Sequence, residues 1–311
     1  MNTNLIEMKL QTIGVEIEMC GITRENAAKL AAEFFGTGRY EYTAIRNGYY
    51  TWSAWDTDGR EWKFSRDVSI IAPDPEQTEL VTPILVYSDI PILQELVRKL
   101  RKAGAISRPS KGCGVHIHIG GDGHNAKTLR NLINLMASHE KLLINSIRVA
   151  GDRIRRYCRT VEPELVEKVN RIKPKTEEEL KSLWYSANRA EYGQTEHYND
   201  SRYHCLNLHS YFNGHGTVEF RLFQFDEPTA ERKGGLHAGQ LKAFIQLCLG
   251  MSRMAKASRN INPTEVQSEN PKFAMRTWLN RMGFIGEEFE TARLFLTKNL
   301  EGDSAFRFNN R

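Results

Sequence analysis

Residues 112–120 read GCGVHIHIG, and the alternation within them decides what fold to expect. In an extended chain Val115, Ile117 and Ile119 fall on one side, His116 and His118 on the other. Glycines at 112, 114, 120 and 121 close the stretch at both ends, as turns close a strand. The aliphatic side is what a strand needs to pack on a core. The other side carries two imidazoles, where an exposed strand ordinarily carries Lys, Thr, Ser or Gln.

The same oddity occurs twice more. In residues 11–19, Ile13, Val15, Ile17 and Met19 alternate with positions that include Glu16 and Glu18. In residues 217–223, TVEFRLF, Glu219 and Arg221 alternate with Val218, Phe220 and Leu222. Residues at i and i+2 of a strand share a side, about 7 Å apart. Were these three strands neighbours, their polar sides would gather three carboxylates, two imidazoles and a guanidinium. Crowded carboxylates repel and oppose each other's ionisation. Divalent cations relieve that conflict, and hard oxygen ligands with an occasional imidazole suit Mg²⁺ or Mn²⁺. Arg221 offers the planar donor fork that grips phosphate. Taken singly, each pair also has an ordinary reading: a solvated face for Glu-x-Glu, a cross-strand ion pair for Glu-x-Arg.

Around these strands the periodicity changes repeatedly. Helical spacing is expected over 23–35, 88–103, 125–147 and 229–258, in short pieces near 163–170 and 176–189, and in the tail near 272–282 and 287–299. Strands are expected at 49–55 and 61–66, joined by Asp56-Thr57-Asp58-Gly59, at 79–82, and at 203–210. Directly linked strands favour α+β with a largely antiparallel sheet over a doubly wound parallel one.

The 311 residues allow one large domain or two ordinary ones. The expected division is a catalytic domain over 1–260 with a polar helical insertion near 150–200, and a helical extension over 261–311 packed on it. A net charge of +5 and a pI near 8.9 suit an anionic small ligand as well as nucleic acid. Five widely spaced cysteines with no C-x-x-C argue for free thiols in a reducing compartment. No secretory leader pattern opens the chain, and no apolar run reaches ~18 residues, so a cytoplasmic protein without a membrane span is expected. Oligomeric state is not written in these features.

Several of these segments resemble, in order, the motifs of the amidoligase family. They are Gly14-Val15-Glu16-Ile17-Glu18, WKFSRDVSII at 62–71, Glu79-Leu80-Val81-Thr82-Pro83, Gly114-Val115-His116-Ile117-His118-Ile119, Leu206-Asn207-Leu208 and residues 217–223. Residues 278–307 resemble the family's C-terminal helices. The family comprises carboxylate–amine ligases similar to glutamate–cysteine ligase and, more distantly, glutamine synthetase. The resemblance implies a curved antiparallel sheet whose concave face holds Mg²⁺ and ATP, with helices packed on the other face. It implies metal ligation by Glu16, Glu18, Glu79, His116 and Glu219, and an acidic role for Asp67. His116 and His118 would lie near nucleotide and metal, and Arg221 would stabilise the transferring phosphoryl group. The substrates implied are a small-molecule or peptide carboxylate and an amine, joined through an acyl phosphate.

Two further features bear on phosphate. The run RVAGDRIRRYCR at 148–159 places Arg155 as a candidate contact to ATP or an anionic substrate, against the alternative of a solvated basic face. Arg202 precedes the Asn207 segment and is a second candidate. Two other functions compete. A metal-dependent hydrolase or phosphoesterase would use similar residues, but H-E-x-x-H is absent. A nucleic-acid binder would use the basic run and have no need of Glu16 or Glu219.

Overall fold

The computed structural model describes residues 3–43 and 49–305. Its class is the expected one: α+β, with eleven α-helices among the described residues and one open antiparallel sheet. The eight strands are β1 Ile13–Met19, β2 Tyr40–Tyr42, β3 Trp52–Trp55, β4 Glu61–Ser65, β5 Thr78–Val81, β6 Val115–Gly120, β7 Leu206–Asn207 and β8 Thr217–Phe223. Their order in the sheet is β2-β3-β4-β5-β1-β6-β8-β7. The three strands with paired ionisable residues, β1, β6 and β8, are consecutive neighbours in that order. No helix among the described residues is long and apolar enough to cross a membrane.

The chain divides into two compact units. One, called the acidic unit for the glutamates on its strands β1 and β5, comprises Thr12–Ile117 and Phe223–Lys242. Its core is built on the odd positions of β1, with Ile13, Val15, Ile17 and Met19 at most 2% exposed. Trp62 and Phe64 of β4 and Leu80 of β5 are equally buried. The helix Arg24–Phe35 starts at Thr23, whose hydroxyl accepts from the Asn26 N–H at 3.2 Å. It stops at Gly36, which takes the left-handed conformation at φ 76°. Phe35 lies 4.9 Å from the Trp62 ring, and the Trp62 indole donates to Asp56 at 3.0 Å. Trp62 is therefore a core residue. The turn between β3 and β4 is tied by Asp56, which accepts from the backbone N–H groups of Asp58 and Arg60.

The other, the basic unit, comprises Met1–Gln11, His118–Leu222 and Ala243–Arg311. The long helix Ala126–Ile147 begins in a capping box between Asn125 and Thr128. Helices Pro163–Ile172 and Glu177–Ala187 fill the polar 150–200 segment. Of the tail, helices Pro271–Arg281 and Glu290–Thr297 are present. Trp278 stacks on His139 of the long helix at 4.1 Å. Burial there pushes the His139 imidazole down to about 4. The end of the family-like tail, residues 306 and 307, lies outside the described residues.

Two expected elements are shorter than their patterns suggest. The strand at 203–210 is only Leu206–Asn207. Asn207 Oδ1 accepts from the His209 N–H at 2.8 Å and turns the chain into the helix His209–Phe212. The helix expected over 229–258 is Ala238–Ala257. Gly234 and Gly235 take positive φ of 57° and 74°, and Gly235 N–H bonds back to the Asp226 carbonyl at 2.8 Å. Residues 226–235 are a closed loop, so helical geometry begins only after it.

Candidate metal and phosphate-binding site

Register determines what β1 and β5 can do together. Glu16 pairs with Val81, Ile17 with Leu80, Glu18 with Glu79 and Met19 with Thr78. Two carboxylates, Glu18 and Glu79, thus stand directly opposite each other across an antiparallel pair. Like charges in that position destabilise a sheet. Around them the acidic unit brings three more predicted residues. His116 Nδ1 lies 2.8 Å from Glu16 Oε2, and its Nε2 lies 3.8 Å from Glu18 Oε1. Asp67 follows β4, where its carboxylate accepts from the Ser69 N–H at 2.7 Å.

Glu18 is 5% exposed and His116 3%. The Gly114 N–H donates to Glu18 Oε2 at 2.6 Å, and the Glu18 N–H donates to the Gly114 carbonyl at 3.1 Å. The glycine segment before β6 therefore fixes the Glu18 side chain as well as its backbone. That role was not visible in the spacing of the glycines.

Two groups of these side chains each offer one ligand atom within 4.8 Å of the others: Glu16, Glu79 and His116, and Glu18, Asp67 and Glu79. Glu79 belongs to both. An ion bound at roughly 2 Å from each ligand can be held across such spans. The donor set is four carboxylates and one imidazole, which suits a hard divalent cation. By donor chemistry and spacing the residues fit Mg²⁺ or Mn²⁺. All five predicted residues of this unit, Glu16, Glu18, Asp67, Glu79 and His116, are brought together.

In the basic unit the remaining candidates are organised around β7 and β8. Asn207 pairs in register with Glu219, and its amide donates to the Glu219 carboxylate. Arg221 Nη1 donates to the other Glu219 oxygen. His118 Nε2 lies 3.9 Å from that oxygen, and His118 Nδ1 sits 3.1 Å from the Thr217 hydroxyl. Glu219 and Arg221 are 3% and 5% exposed. A buried carboxylate and guanidinium joined by hydrogen bonds compensate each other's desolvation.

The two arginines proposed from the basic segments differ in setting. Arg155 is exposed and pairs with Asp152. Arg202 Nη1 donates to the His197 carbonyl at 2.9 Å, and its guanidinium lies 5.8 Å from the Tyr203 ring. Arg221 lies 5.9 Å from the same ring. The buried arginine of the 148–159 run is Arg153, whose Nη2 donates to the Arg221 carbonyl at 3.1 Å. Sequence reasoning missed Arg153 and the clamp from Asn207. Arg153 lies on the short helix Gly151–Arg156, too brief for a periodic signal to single it out among its neighbours.

No curated protein matches this chain. The model of the family described as "Putative amidoligase enzyme" matches residues 9–252. That stretch begins just before β1 and ends beyond β8, so it includes every candidate residue above. With most of its length matched, the chain belongs to this amidoligase family.

Proposed function

We propose that the protein is an ATP- and Mg²⁺-dependent carboxylate–amine ligase that forms an amide through an acyl phosphate. Membership of an amidoligase family supports amide-bond formation. The observation that carries the finer reading is the register of Glu18 opposite Glu79, with Glu16, Asp67 and His116 within ligating reach. Four carboxylates gathered on a sheet are costly without cations.

A carboxylate and an amine do not condense in neutral water, because the carboxylate oxygen is a poor leaving group. Transfer of the γ-phosphoryl group of ATP to that oxygen creates a good one. The amine then attacks the acyl carbon, phosphate departs, and the nitrogen loses a proton. The first step brings anions together, and bound Mg²⁺ supplies charge neutralisation and alignment of the phosphate oxygens. Glu16, Glu18 and Glu79 hold their places through the β1–β5 register and the Gly114 N–H, and His116 through its contact with Glu16. Arg221, kept oriented by Glu219, is proposed to donate to the transferring group, where negative charge develops.

The deciding assay is ADP formation with MgATP over a panel of carboxylic acids and amines. ADP should appear only when an acid and an amine are both present, with an amide as co-product. Phosphoester hydrolysis without amine, or ATP turnover indifferent to both substrates, overturns this reading.

A further inference from the structure

The mechanism above uses no thiol, yet four of the five cysteines lie in two contacting pairs. The Cys205 thiol donates to the Cys158 carbonyl at 3.1 Å in the basic unit. Cys20 and Cys113 are packed together in one buried cluster of the acidic unit. The second pair adjoins the cation-ligand group. Cys20 follows β1, two residues beyond Glu18. Cys113 immediately precedes Gly114, whose N–H binds the Glu18 carboxylate. The two thiols share a small buried cluster with Ile70, three residues beyond Asp67.

We propose that Cys20 and Cys113 form a reversible disulfide driven by hydrogen peroxide, and that this bond weakens cation binding at Glu18. Cys20 is 4% exposed, whereas Cys113, Cys158 and Cys205 are fully buried, so a small oxidant meets Cys20 first. One peroxide oxygen adds to the Cys20 sulfur, giving a sulfenic acid, and the first water leaves. The Cys113 sulfur then displaces the hydroxyl as the second water and the S–S bond forms. Two thiols and one peroxide become one disulfide and two waters; the two electrons come from the sulfurs.

The coupling to the site follows from what holds residues 111–114. A disulfide requires the sulfurs to close to about 2 Å, well inside the contact distance of two packed thiols. The segment has little freedom to follow. Gly112 is at φ 74°, and a Cβ there would stand 2.3 Å from the Ser69 carbonyl oxygen. The Lys111 carbonyl accepts from the Ile71 N–H at 2.8 Å. Displacement therefore reaches Glu18 through Gly114 on one side and the Asp67 loop on the other. Outer contacts of this kind set metal affinity by about 10–100-fold.

The test uses the full-length protein, reduced or exposed to hydrogen peroxide and then alkylated. Peptide mapping should show Cys20 joined to Cys113, reversed by dithiothreitol, with Cys158 and Cys205 still reduced. Mn²⁺ titration by electron paramagnetic resonance should show at least about tenfold weaker binding after oxidation. Cys113→Ala and Cys20→Ala should each keep reduced-state Mn²⁺ affinity in peroxide. Thiols that stay free, or a bond that leaves Mn²⁺ affinity unchanged, overturns the proposal. The effect on the cation rests on Glu18 being a ligand. Reduced protein that binds no Mn²⁺ would defeat that reading, while the mapped bond still decides the thiol chemistry.

Discussion

Glu18 and Glu219 are both strand carboxylates almost without solvent exposure, and they are held in opposite ways. Glu219 is gripped by the Arg221 guanidinium and the Asn207 amide; its counter-charge is part of the chain. Glu18 faces Glu79 in register and is grouped with Asp67. A third buried carboxylate shows another outcome. Glu140 accepts from the Val161 N–H at 2.9 Å, and burial pushes its carboxyl up to about 8. A guanidinium, a proton and, on the proposed reading, an added cation are three answers to one electrostatic problem. Of the three, only the guanidinium is built into the chain; the other two come from solution.

The largest effect that would break this comparison concerns Glu18. Chelation should abolish activity and added Mg²⁺ restore it. Glu18→Ala should lower ATP turnover by ~10²–10³-fold, the scale of losing a charge stabiliser at the reacting group. A variant that retains activity at saturating Mg²⁺ would place Glu18 outside the ligand set.

Arg221→Ala comes next. It leaves Glu219 buried without its guanidinium, and denaturant melts should show a loss of ~3–5 kcal/mol. Glu219→Gln should restore part of that loss in the double variant. No rescue would mean that Arg221 acts through packing rather than charge.

Glu140 tests the proton. Its folded-state pKa is raised, from 4.5 to about 8. The neutral form is therefore favoured by folding, and its contribution is full below pH 4.5. It is lost as pH rises towards 8, where the buried group must ionise. Relative to Glu140→Gln, the wild type should lose stability across that window, on the order of 4 kcal/mol. Melting curves of both proteins at pH 5 and pH 8.5 check the sign. A constant difference would show that Glu140 is ionised throughout.

The smallest effect sharpens the comparison most. Without divalent ions, Glu79→Gln should stabilise the protein by up to ~1 kcal/mol, since it removes a cross-strand like-charge pair. With Mg²⁺ present the order should reverse, because the wild type gains binding energy that the variant lacks. Thermal melts with and without Mg²⁺ should therefore cross.

Much of this was legible in the residues. Period-two alternation located β1, β6 and β8, and helical spacing located the helices that begin near residues 23 and 125. What alternation does not carry is register. That Glu18 meets Glu79 depends on pairings between segments about sixty residues apart. The strand β2, Tyr-Glu-Tyr at 40–42, is largely exposed, so it has no buried face to leave a pattern. The strand expected at 203–210 and the helix expected at 229–258 failed where a side chain or glycine overrode the period: Asn207 at one, Gly234 and Gly235 at the other. Arg155 outranked Arg153 in sequence only because charge density says nothing about which guanidinium turns inward.

The acidic unit is discontinuous, with Thr12–Ile117 completed by Phe223–Lys242. Ser110 reaches Glu227, Arg101 the Leu236 carbonyl and Gln94 the Ala238 carbonyl. During synthesis, residues 16 to 116 leave the ribosome long before the segment that braces them. A nascent chain thus carries Glu16, Glu18, Asp67, Glu79 and His116 while the scaffold around them is unfinished. On the proposed reading, firm capture of an ion there is expected only once residue 242 is free to dock, late in the birth of this protein.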